Sequence, residues 1–134
     1  MAILLIRQPS PEPLPAPVEL AGHAVHCQHC ATLPALVQCL REARHTAPDW
    51  VLIEPADADP SQWAEHGHAL CAALDALSAP YIEMAANDDG GLDAHLHPQH
   101  APAATVVCSS GRADACRLSL AIAERRLLSA AGRA

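Results

Sequence analysis

Residues 49 to 88 leave this chain few ways to fold, because they read as strand, helix, strand. Asp49-Trp50-Val51-Leu52-Ile53-Glu54-Pro55 is a short apolar run that ends on an acid and a proline, as a buried parallel strand does at a sheet edge. From Gln62 to Leu77, Ala69, Ala73, Leu74 and Leu77 recur at helical spacing, and Ser78-Ala79-Pro80 breaks the run. Tyr81-Ile82-Glu83-Met84 then opens a second buried strand that turns polar by Asn87-Asp88. Parallel strands need such a crossover, and folds built this way keep ligands beyond the strands' carboxyl ends.

The rest of the chain extends this unit. Ala2 to Ile6 predicts a buried first strand, and His23 to Cys27 a weaker second one. Between them Pro9, Pro11, Pro13, Pro15 and Pro17 alternate with other residues. Each proline fixes φ and removes a donor, so the segment predicts an extended, polyproline-like strap with at most one helical turn near Val18 to Ala21. Leu33, Leu36, Val37, Leu40 and Ala43 predict an amphipathic helix through about Arg44, with Thr32 as its cap and Pro34 in its first turn. Residues 87 to 102 read as irregular, Thr105 to Ser109 as the last strand, and Arg112 to Ala131 as a long closing helix.

Four of these segments resemble, in order, the type II 3-dehydroquinate dehydratases. Ala2 to Pro9, AILLIRQP, is similar to that family's opening strand, ILVINGP. Residues 51 to 56, VLIEPA, resemble IINPGA; residues 77 to 84, LSAPYIEM, resemble IPxIEVHLSN; and residues 105 to 111, TVVCSSG, resemble GVIxGLG. The resemblance implies one domain over 1–134. Its fold would be a flavodoxin-like three-layer α/β fold with a mostly parallel sheet, the first crossover helix reduced to the Pro-rich strap. A strap this narrow is expected to leave an apolar face of the strands Ile-Leu-Leu-Ile and Val-Leu-Ile bare, which predicts a homo-oligomer, dimeric or trimer-based, joined across that face. The resemblance points the same way, since the family assembles as trimers, and it also implies a small carboxylate ligand.

The same resemblance implies pocket positions at Pro9, Ser10, Glu54, Glu83, Ala85, Asn87, Ser109, Ser110 and Gly111. Matched residue by residue, Ser10 stands where the family has the Asn after its first strand, Glu54 where it has the Asn of NPGA, and Ala85 where it has the His of EVHLSN. Asp59-Pro60-Ser61-Gln62, the counterpart of the family's Thr-His-Thr-Ser, contains no His, and the strap holds no Arg. Tyr81, the single tyrosine, lies inside a strand. Elimination beside a carbonyl needs a base, a polarising cation and an acid in mutual reach. The expectation is therefore a homologue inactive as a dehydroquinase that binds or scaffolds, the alternatives being a lyase with a site rebuilt on Glu54, Glu83 and the loop histidines, and a metal-binding module.

The metal alternative comes from His26-Cys27-Gln28-His29-Cys30 and from His95, His97 and His100. Imidazole and thiolate are zinc's preferred ligands, and His26, His29, Cys30, His95, His97 and His100 are the candidates. Paired C-x-x-C or H-x₃₋₅-H groups at finger spacing are absent, so the plainer reading makes the cysteines core residues and the loop histidines solvated, with no cofactor. Ser109-Ser110-Gly111-Arg112 can hold an anion at a helix start or simply cap it. Glu54, Asp57 and Asp59 form an acidic strand-end group that reads as an altered pocket, a cation site or a solvated turn, the turn being the preferred reading.

Charge and composition exclude other classes. A formal net charge of -7 opposes binding to nucleic acid or to anionic membrane. No apolar run approaches the ~20 residues of a membrane helix, and Met1 to Ile6 is too short for a signal sequence, so the expected location is the cytoplasm. With 51% hydrophobic but 2% aromatic residues, the core must be aliphatic.

Overall fold

A computed structural model describes residues 2–8, 17–54, 59–85, 96, 98–107 and 112–131. Its elements in chain order are β1 (Ala2–Arg7), β2 (Glu19–Leu20), β3 (His23–His29), α1 (Leu33–Thr46), β4 (Trp50–Ile53), α2 (Pro60–Ala76), β5 (Tyr81–Ala85), β6 (Ala104–Val107) and α3 (Arg112–Ala131). The protein is thus α/β, with a six-stranded, mostly parallel sheet and, among the described residues, three helices. The strand order is β2-β3-β1-β4-β5-β6, and only β2 runs antiparallel to its neighbour.

Strand alternation splits the core into two layers. Leu4, Ile6, Val51, Ile53 and Tyr81 pack with Leu36, Leu40, Leu70 and Leu74 of α1 and α2. Ile3, Leu5, Leu52, Ile82, Met84 and Val106 pack on the other side with Ala115, Cys116, Leu120 and Ala123 of α3. Strands covered on both faces must be apolar at every position, which is why β1 and β4 read as unbroken hydrophobic runs.

Helix starts follow capping chemistry. Thr32 Oγ1 accepts the Ala35 N–H at 3.3 Å, as its position before the apolar spacing predicts. α2 begins at Pro60, earlier than the apolar spacing alone indicates, because Asp59-Pro60-Ser61-Gln62 forms a capping box. Asp59 Oδ1 accepts the Gln62 N–H at 2.9 Å, and Gln62 Oε1 accepts the Asp59 N–H at 3.1 Å. So Asp59, read from sequence as part of a solvated acidic turn, is a structural cap.

That cap carries a pH dependence. The Gln62 N–H, and after it the Ser61 hydroxyl, hold the Asp59 carboxyl below its usual value of 3.8. A carboxyl whose folded pKa is depressed contributes stability that is present above the unfolded value and lost as pH falls through the folded one. We therefore expect the melting temperature of the wild-type protein to fall more between pH 6 and pH 3 than that of Asp59→Asn, since asparagine caps without titrating. Equal losses in both proteins would show that the cap's charge contributes nothing.

Two sequence expectations are corrected. The helical turn placed near Val18 to Ala21 is instead β2 and a two-residue turn, in which Ala21 (φ 52) and Gly22 (φ 82) both adopt positive φ. Two such residues in succession give the tight turn whose twist suits a hairpin, and Glu19 and Leu20 then pair with Ala24 and His23. The strap proper falls on residues 9–16, outside the described residues. The second correction concerns the sheet face expected to lie bare beside it, since Ile3, Leu5 and Leu52 are 0% exposed. Leu20, Val25 and Trp50, with Ile122 and Leu127 of α3, pack against that layer, so the apolar patch invoked for an oligomer interface is already buried.

Candidate functional site

In a parallel sheet all carboxyl ends point the same way, and the crevice forms where successive connections leave in opposite directions. Here that place lies between β1 and β4, since the chain passes from β1 outward to β3 and returns to pair β4 on the other side of β1. Glu54 sits there, directly after β4. Its N–H bonds to the Ile6 carbonyl at 2.8 Å, and its Oε1 accepts the Gln8 N–H at 2.7 Å. Far from a solvated turn, Glu54 is 9% exposed and ties the exit of β1 to the end of β4.

Arg7, which sequence reading passed over, ends β1 beside it. The last paired residues of the two strands are Ile6 and Ile53, so Arg7 and Glu54 stand one step further along the same register. Alternation puts both on the α3 side, with Leu5 and Leu52. Arg7 is 3% exposed, and a buried guanidinium is stable only with polar or charged company. The legible signal was an arginine closing an otherwise apolar strand.

Glu83 is also fully buried but does not join them. It lies on β5 between Ile82 and Met84, which face α3, so it faces the α1 and α2 side and pairs in register with Ile53. A catalytic pair of Glu54 and Glu83 is therefore not assembled. Ala85, the residue that the resemblance matches to a histidine, ends β5. Pro9, Ser10, Asn87, Ser109, Ser110 and Gly111 fall outside the described residues.

The metal candidates separate as well. His26 and His29 lie three apart on β3, so their side chains leave opposite faces of the sheet. Cys30 turns into the core, where it belongs to the cluster that holds Cys39 of α1. His100 is held by structural contacts: its N–H donates to Asp75 Oδ1 at 2.9 Å, its Nδ1 lies 3.0 Å from the Leu74 carbonyl, and its own carbonyl accepts the Tyr81 hydroxyl at 2.6 Å. The two rings also meet edge to face at 5.1 Å. His95 and His97 fall outside the described residues, and among the described residues no three His, Cys, Asp or Glu side chains gather to hold a metal ion.

The thiols differ sharply in environment. Burial, then the nearby Cys30 thiol and the Glu42 charge, push the Cys39 thiol up to about 12. Burial also raises Cys30, with Glu42 adding and the Cys39 thiol opposing. At pH 8 a thiol with the Cys39 value of about 12 is ionised to only about one part in 10⁴, and the thiolate is the nucleophile. Cys27 is exposed on β3. Iodoacetamide at pH 8 should label Cys27 within minutes and leave Cys30 and Cys39 unmodified until denaturant is added. Equal labelling of all three in the folded protein, read by peptide mapping, would contradict the burial of Cys30 and Cys39 in the core.

Among the described residues no helix is long and apolar enough to cross a membrane. No family model matches the chain, and no curated protein matches it.

Proposed function

We propose that this chain is a flavodoxin-like, non-catalytic relative of the type II 3-dehydroquinate dehydratases, working in the cytoplasm as a binding or scaffold protein. One observation carries the reading. The segments that resemble the family, at residues 2 to 9, 51 to 56, 77 to 84 and 105 to 111, supply the adjacent parallel strands β1, β4, β5 and β6 in that order. With β3 on the far side of β1, the five parallel strands follow the order second, first, third, fourth, fifth, which supports the flavodoxin-like reading.

The site argues for binding over turnover. A methyl group at Ala85 neither holds nor donates a proton, and Glu54 is committed to the Gln8 amide. Losing one acid or base of a concerted site costs on the order of 10²- to 10⁴-fold in rate. A small carboxylate as the ligand class rests on the family resemblance. The homo-oligomer belongs to this reading through resemblance alone.

Purified protein supplied with 3-dehydroquinate should produce no enone absorbance. Turnover within tenfold of an ordinary dehydratase would overturn the non-catalytic reading in favour of a lyase with a rebuilt site. Light scattering that gives about the mass of one chain, 14.1 kDa, would remove the assembly from it.

A further inference from the structure

We draw no further inference here: the strongest candidate, the buried pair of thiols Cys30 and Cys39 between the end of β3 and α1, is closed into the core with both thiols held protonated, and nothing in the structure gives an oxidant or a soft metal ion access to it.

Discussion

Leu52→Ala should destabilise the protein by about 3 to 4 kcal/mol, the cost of deleting a fully buried leucine whose surroundings collapse only in part. Leu52 is 0% exposed at the centre of β4. It pairs in register with Leu5 on one side and Ile82 on the other, and α3 lies over all three. Hydrogen-bonded strands on both flanks fix the backbone, so the neighbouring side chains have little freedom to move into the void. For a domain of this size the loss corresponds to a fall of roughly 10 to 15 °C in melting temperature. Leu128→Ala on the outer side of α3, where the side chain is 56% exposed, should change stability by less than about 0.5 kcal/mol. A loss under about 1 kcal/mol at Leu52 would mean that α3 does not seal this face.

The contrast between those two leucines shows which parts of the fold were legible in the sequence. Leu52 sits in a run with no polar residue, and unbroken runs of that length identify strands covered on both faces. Leu128 belongs to a helix whose spacing gives its existence but blurs its inner and outer sides, because alanines and leucines occur all round it. β2 escaped detection because a two-residue strand has no periodicity; the cue was Ala21-Gly22, and alanine at positive φ is not a residue one expects there. The sealed face beside the strap was misjudged for a related reason. Counting the helices next to a strand ignores what Leu20, Val25 and the far end of α3 contribute across the layer.

The candidate site was legible in position but not in chemistry. Strand ends could be placed at Glu54 and Ala85, since Pro55 and the polar residues beyond Ala85 break the runs. Whether Glu54 faces water or backbone depends on the Gln8 amide, 46 positions away in the chain, and no local pattern reports such a contact. The histidine groups show the opposite error. His26, His29 and Cys30 are close in sequence, yet a strand turns alternate side chains to opposite faces, and the cysteine just beyond its end is buried in the core. Closeness along a β-strand therefore argues against convergence of residues three apart, where on a helix it would argue for it.

Glu54 is where fold and site can be separated by substitution. Glu54→Ala leaves the Gln8 N–H without its acceptor and removes a negative charge opposite the buried Arg7 in register, so we expect a loss of roughly 2 to 3 kcal/mol. Glu54→Gln keeps a carbonyl oxygen for the amide but not the charge, and should lose only about 1 to 2 kcal/mol. The difference between the two variants isolates the hydrogen bond, and what they lose in common isolates the charge. If that charge acts on Arg7 across strands spaced about 4.8 Å apart, Arg7→Met and Glu54→Gln will not be additive. The double variant should be more stable than the sum of the single losses implies, by at least about 0.5 kcal/mol in urea unfolding at fixed m-value. Additivity within about 0.3 kcal/mol would show that the two side chains, though neighbours in register, do not interact, and that the Glu54 carboxylate supports the β1 and β4 ends without help from the Arg7 charge.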